Sequence, residues 1–319
     1  MSTLFQSFKE QGGFKLLKGY WKAGVLPYAL GQLILTGGTK KGLEILRLGV
    51  QMKIRNKLRH GSINVLRHFD KDYHNQVAQP SEPSGKIWIC WMQGMENAPM
   101  LVQKCYESIK ARLNDREIIL ITSQNRKDYV TMPEHIEEKY SKGIITHTHF
   151  SDLLRVELLC KYGGTWIDAT VFCSGHNIPG YFFDSSFFVF QNLKPGADGA
   201  TCNVSSWFMT AWANHKFMLA QRALLFDYWE RYDYQVDYFL FHYFISIVSE
   251  FYAEDWKKII QFPNSFPHVL QLMQFETFNQ KKWDAITEAC PFHKLTYKHK
   301  VDNMTIKSTY YEYVMDFRN

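Results

Sequence analysis

Within "SDLLRVELLCKYGGTWIDATV", residues 151–171, three side chains are suited to phosphate and sugar chemistry: Asp152, Arg155 and Asp168. A guanidinium grips phosphate or hydroxyl oxygens through its planar fork. A carboxylate accepts hydrogen bonds from sugar hydroxyls or ligates a hard cation. At about 100° per residue, Asp152, Arg155 and Leu159 share one side of a helix, while Glu157 and Lys161 form an i,i+4 pair on another. Leu153, Leu154, Val156, Leu158 and Cys160 cover most of the rest, which predicts a largely buried helix. Taken singly, an aspartate in the first turn with an arginine partner also satisfies the helix dipole without any ligand.

The elements that must hold these residues read as alternating strands and helices. "QVAQPSEPSGK", residues 76–86, is a linker or surface loop, and "KIWICWM" after it is a buried strand. Asn97 and Pro99 start a helix over 98–113, 117–122 is a second strand, 134–140 a helix and 143–147 a third short strand. Ser151 caps the next helix, which runs to Tyr162, Gly163 and Gly164 stop it, and "TWIDATVF" forms another strand. His147 and His149 alternate as on a strand and read as structural. The pattern predicts an α/β fold with a mostly parallel sheet flanked by helices. Asp168 then lies near a strand's carboxyl end, where open sheets bind ligands. Beyond residue 180 the chain is aromatic-rich and less legible.

A chain of 319 residues with 46% hydrophobic and 21% charged residues can bury a sizeable core, which excludes disorder. The six cysteines form no CxxC pair, which argues against a zinc site or disulfide framework. The N-terminus lacks a secretory signal pattern, so a cytoplasmic protein with reduced thiols is expected. Residues 1–60 hold eleven Lys/Arg against two Asp/Glu, a local +9 that leaves the remainder at −3. Residues 23–39 are uncharged but short for a membrane span and interrupted by Pro27 and four glycines. Leu43, Leu46, Val50, Ile54 and Leu58 then form an apolar helical stripe, with Arg47, Lys53, Arg55 and Lys57 mostly off it. Either the stripe packs on the core, or residues 1–60 lie on an anionic membrane surface, peripheral to the inner face of the cell membrane. The second is the expectation here. Nucleic-acid binding is not expected, since no recognisable binding module accompanies the charge.

The spacing S-D-x-x-R-x-x-x-L-x-x-x-G-G-x-x-x-D over 151–168 resembles the sugar-nucleotide glycosyltransferases that carry a DXD motif, and within them the bacterial capsular polysaccharide synthesis glycosyltransferases. The resemblance extends to 86–110, "DYFLFHYF" (237–244) and "FPHVLQ" (266–271), more weakly in the last two. Glucosylating bacterial toxins and fungal mannosyltransferases share the Asp–Arg–Gly–Gly–Asp frame. The resemblance implies a GT-A fold over 81–319 behind a basic helical segment, 1–80. It places Cys90, Trp91 and Gln93 near the base and ribose, Gly164 within the nucleotide-sugar site, Asp152 and Arg155 on the donor sugar, and Asp168 on the metal. The implied reaction is a retaining transfer of a hexose from a nucleotide sugar, UDP-linked, to a lipid-linked capsular or exopolysaccharide intermediate.

Thr170 stands where the second aspartate of a DXD motif belongs, and a neutral hydroxyl is a poorer ligand for Mn²⁺ or Mg²⁺ than a carboxylate. A divalent cation is expected but weakly held, with His268 as a compensating ligand or a simple loop histidine, or with Arg155 taking part of the metal's role. The same threonine removes the acid that a D-x-D phosphatase needs. On the acceptor side stand Trp207, Asp237 and His242, each with an alternative reading as core or helix packing. The rival from another class is a catalytically inactive sugar-nucleotide or glycan-binding protein on the same fold.

Overall fold

The computed structural model describes residues 14–76, 82–175, 178–193, 202–298 and 307–317. Residues 1–13 of the basic segment and 77–81 of the expected linker lie outside the described residues. The chain opens with helices α1 (Phe14–Ala23), α2 (Leu26–Thr36) and α3 (Lys40–Gln76). Next come β1 (Lys86–Cys90), α4 (Met100–Arg112), β2 (Glu117–Ile121), α5 (Glu134–Ser141), α6 (His147–Tyr162), β3 (Gly164–Ile167) and β4 (Val171–Cys173). The second half holds β5 (Phe187–Gln191), β6 (Val204–Ala211), α7 (Lys216–Arg231), α8 (Leu240–Phe251), β7 (Phe262–Pro263), α9 (Gln280–Ala289), β8 (Phe292–Lys294) and α10 (Tyr310–Met315).

Six strands form one sheet in the order β2-β1-β3-β6-β5-β7. β1 is parallel to β2 and β3, β6 is antiparallel to β3 and β5, and β7 is parallel to β5. Only β6 therefore runs against the others, which is the mostly parallel α/β sheet expected. Side chains alternate across it. Trp88, Trp166, Val189 and Met209 face a core shared with α6, α7 and α8, whereas Ile87, Ile89, Ile167, Phe188 and Phe208 face a core shared with α4. Burial on both faces explains why these strands read as continuous apolar runs.

The region around the glycine pair departs from expectation in its boundaries. The expected strand 143–147 is instead a turn over 143–146, and α6 starts at His147 with Thr146 as its cap, whose Oγ1 accepts from the His149 amide at 3.2 Å. A cap at Thr146 leaves Ser151 inside the helix and puts His147 and His149 on its first turn. "TWIDATVF" is not one strand: it breaks at Asp168–Thr170, and Val171–Cys173 pairs with β8 in a separate two-stranded sheet. Gly163 and Gly164 do end the helix, at φ +65° and +92°, and a Cβ on Gly164 would stand 2.4 Å from the Lys86 carbonyl oxygen. That close approach lets β3 pair with β1 directly after the helix.

The N-terminal stripe packs inward. Val50 and Ile54 are buried with Ala23, Val25, Ala29 and Tyr243, and Leu46 and Leu58 pack against the same cluster. The membrane-facing expectation for that stripe is thus overturned, because Val50 and Ile54 are covered by Ala23, Val25 and Ala29 from the α1–α2 region and by Tyr243 of α8. Among the described residues, no helix is long and apolar enough to cross a membrane. All six cysteines are free thiols.

The β4–β8 pair carries a buried titratable group. His293 is fully buried, its Nε2 is 2.7 Å from Ser174 Oγ, and burial pushes its pKa from 6.5 down to about 3. The unfolded chain therefore binds a proton between pH 6.5 and 3 that the folded chain does not. Stability is full above pH 6.5 and falls as the pH drops, by up to about 1.4 kcal/mol per unit. In urea denaturation, lowering the pH from 7 to 5 is expected to destabilise the wild type about 2 kcal/mol more than His293→Gln. Equal losses in the two proteins would exclude a neutral buried imidazole.

Candidate active site

Two strand ends create the site. β1 ends at Cys90 and passes into Trp91–Gln93, while β3 ends at Ile167 and passes into the turn Asp168–Thr170. Between them, over α6, opens a cleft of about 370 Å³, within the ~300–1,000 Å³ usual for small-ligand sites. Cys90, Trp91, Gln93, Asp152, Arg155 and Asp168 all line it.

The three residues singled out first converge on one another. Arg155 donates from Nη1 to Asp152 Oδ1 at 2.8 Å and from Nη2 to Asp168 Oδ1 at 3.0 Å. Its guanidinium lies 4.7 Å from the centre of the Trp166 ring and 5.2 Å from that of Phe241, and its side chain is only 4% exposed. Asp168 is held further by Trp166 Nε1 at 2.9 Å and by Lys294 Nζ at 2.7 Å on Oδ2. Burial works to raise the Asp168 pKa, but the charges of Lys294 and Arg155 and the bonds from Lys294 and Trp166 hold it below the ordinary carboxylate value.

Behind Asp152 stands a buried relay. Trp229 Nε1 donates to His149 Nε2 at 3.0 Å, which leaves the ring proton on Nδ1, facing Asp152 Oδ2 at 3.3 Å. His149 is thus a positioning residue for the Asp152 carboxylate. Three buried nitrogens on the cleft's lining residues have no partner: Trp91 Nε1, Arg155 Nε and His242 Nδ1. Unpartnered buried polar atoms are uncommon in folded proteins, but these three are closed to solvent and do not face the open cleft. Burial lowers the His242 pKa to about 4, against Asp152 and with Arg155, so its ring is neutral at pH 7.

The family described as capsular polysaccharide synthesis protein matches residues 44–314. The chain belongs to this family. A curated relative, the O-glycosyltransferase braB of Annulohypoxylon truncatum, is 31% identical over 110 residues. That match covers 32% of this chain and 26% of the relative, so the chain spans about a quarter of that protein's length. Among solved structures, PaToxG glycosyltransferase aligns at 13% identity over 74% of this chain and 95% of its own, with a TM-score of 0.38.

In this capsular polysaccharide synthesis family member, several further expected residues fall elsewhere. Gly164 is buried at the helix–strand turn, where it shapes the site without lining it. Trp207 is buried, stacks on Phe190 at 4.4 Å and donates to Asn264 Oδ1 at 3.0 Å, so its ring is core packing. Asp237 accepts from the Phe239 amide at 2.8 Å and from Tyr243 Oη at 3.1 Å, capping the turn into α8. Glu157 meets Arg222 at 3.6 Å, while Lys161 donates to the Tyr129 carbonyl at 3.0 Å. His242, by contrast, does line the cleft.

A divalent cation finds a poor donor set. Both Asp168 oxygens are engaged by cationic or N–H donors. His268 keeps Nδ1 on the Asn264 carbonyl at 2.8 Å, with its ring against Trp207, outside the cleft lining. Among the described residues no group of three His, Cys, Asp or Glu could hold a metal ion. The residues present do not fit the metal that a DXD motif implies.

Sequence reasoning missed Lys294, Trp166, His149, Tyr238 and Tyr297. Lys294 carries no local signal, since it reaches Asp168 across 126 positions through the β4–β8 pairing. Trp166 sat two residues before Asp168, and its indole nitrogen was the legible clue.

Proposed function

We propose that this chain is a retaining glycosyltransferase moving a hexose from a UDP-linked nucleotide sugar to a lipid-linked capsular or exopolysaccharide intermediate. The observation that carries this reading is the convergence of Asp152, Arg155 and Asp168 in one cleft at the ends of β1 and β3. Trp91 and Tyr297, whose rings lie 6.0 Å apart near the β1 end, suit a base and ribose. Asp152, fixed by His149 and Arg155, suits the donor sugar's hydroxyls. Arg155 and Lys294 supply positive charge for the diphosphate.

In the proposed step the acceptor hydroxyl attacks the anomeric carbon on the face from which the diphosphate departs. The carbon–oxygen bond to phosphate breaks, and the leaving diphosphate oxygen takes the hydroxyl proton. Asp152 and Asp168 are both bonded to the guanidinium, so neither stands free as a nucleophile. For a retaining transfer, this favours the same-face route over a covalent double displacement.

A thermal-shift screen over nucleotide sugars tests the reading, because a ligand bound only by the folded state stabilises it by RT ln(1 + [L]/Kd). A shift with at least one UDP-sugar, followed by an α-anomeric product from an α-donor in proton NMR, is expected. Binding without turnover for any donor would instead support the inactive-binder alternative.

We also propose that the N-terminal helices rest on the cytoplasmic face of a membrane. Support comes from apolar side chains that α1–α3 leave exposed: Phe14, Trp21, Leu30, Ile34 (83%), Leu35 (82%), Ile45, Leu48 and Met52. Lys18, Lys22, Lys40, Lys41 and Arg47 are exposed on the same helices. Ile34→Glu with Leu35→Glu is expected to reduce flotation of the full chain with phosphatidylglycerol vesicles by about tenfold or more, while the fold is kept. Undiminished flotation would contradict this contact.

A further inference from the structure

We propose that the Lys294 ammonium takes the place of a divalent cation, so that the cleft binds a nucleoside diphosphate without metal. This rests on the glycosyltransferase reading of the same cleft. Lys294 Nζ lies 2.7 Å from Asp168 Oδ2 and 2.7 Å from Thr170 Oγ1, bridging the two positions that a DXD motif fills with carboxylates. The bridge is built into the fold. Val171 pairs with Lys294 in the β4–β8 register, and the Leu295 amide donates to the Thr170 carbonyl at 2.9 Å. Lys294 is therefore held beside the turn 168–170 by backbone on both sides.

Charge explains the pairing. With Thr170 in place of an aspartate, the turn carries a single negative charge, which one ammonium balances and a divalent ion would exceed. Asp152 is already neutralised by Arg155. A metal on Asp168 would displace Nζ and stand close to two cations, with strong repulsion at such range. With the lysine in place, an incoming diphosphate meets an ammonium and a guanidinium, each paired with a carboxylate with which it competes. The Thr170 hydroxyl, accepting from Nζ, keeps its own proton for a phosphate oxygen. The lysine side chain is 21% exposed and does not itself line the cleft; it stands directly behind Asp168 and Thr170, which do.

Titration calorimetry with UDP, GDP and dTDP, each in EDTA and in Mn²⁺, tests this. The expected result is binding of one diphosphate in EDTA, changed less than about threefold by Mn²⁺. Lys294→Met should weaken that diphosphate at least tenfold in EDTA while leaving the matching nucleoside unaffected. Thr170→Asp combined with Lys294→Ala should make binding depend on Mn²⁺ by tenfold or more, which keeps the test open should the methionine variant not fold. Diphosphate binding by the wild type only in Mn²⁺ overturns the lysine's role and leaves the transferase reading standing. Wild-type affinity in EDTA for the double variant also overturns it. No binding of any diphosphate under either condition overturns both readings.

Discussion

Replacement of Arg155 by methionine is expected to lower the free energy of unfolding by about 3–5 kcal/mol. The guanidinium is 4% exposed, bonded to Asp152 and Asp168 and stacked between Trp166 and Phe241. Methionine fills similar space but leaves two carboxylates facing each other across an apolar gap. Asp168 keeps Lys294, whereas Asp152 keeps only the His149 contact. Arg155→Lys should recover part of the loss, since one ammonium can pair with one carboxylate but cannot fork to both. Urea denaturation at pH 7 checks this. A loss below about 1 kcal/mol for the methionine variant would mean that the Asp–Arg–Asp cluster is solvated and unimportant to the fold.

Asp168→Asn is expected to separate binding from turnover. If Asp168 served as a metal ligand, removing its charge would abolish metal-assisted diphosphate binding. In the arrangement seen here Asp168 instead aims two cations, Arg155 and Lys294, and asparagine can still accept from Trp166. Diphosphate affinity in EDTA should hold or rise, because both cations lose a competing anion. Transfer should fall about 10²-fold or more, the size expected when charged groups near the reacting bond shift by about 1 Å. Calorimetry and product formation by the same variant check both halves. Loss of diphosphate binding together with transfer would contradict the aiming role.

The legible part of the site was the part written locally. Asp152, Arg155 and Asp168 lie within 17 consecutive residues; helix periodicity put the first two on one side, and the resemblance carried by the S-D-x-x-R…G-G-x-x-x-D spacing joined Asp168 to them. Strand β1 followed from a short apolar run between a loop and a helix start, whereas Cys90, Trp91 and Gln93 as cleft residues came from the family resemblance. Tertiary pairing supplied the rest. Lys294 comes from a three-residue strand whose partner is the broken end of "TWIDATVF", and no periodicity in "PFHK" announces it. Trp207, Asp237 and His268 were attractive by residue type, yet Phe190, Tyr243 and Asn264 satisfy them away from the cleft. The α3 stripe shows the same limit: periodicity identified an apolar face, but only packing against α1, α2 and α8 decided that protein covers it.

The most direct test of the proposed nucleotide-sugar site is release of nucleoside diphosphate from a panel of UDP-, GDP- and dTDP-hexoses. The wild type and Asp168→Asn are compared, with a lipid extract as acceptor source. Release from at least one donor by the wild type, reduced about 10²-fold in the variant, is the predicted result. Equal release by both proteins, or no release and no binding with any donor with or without Mn²⁺, would contradict it.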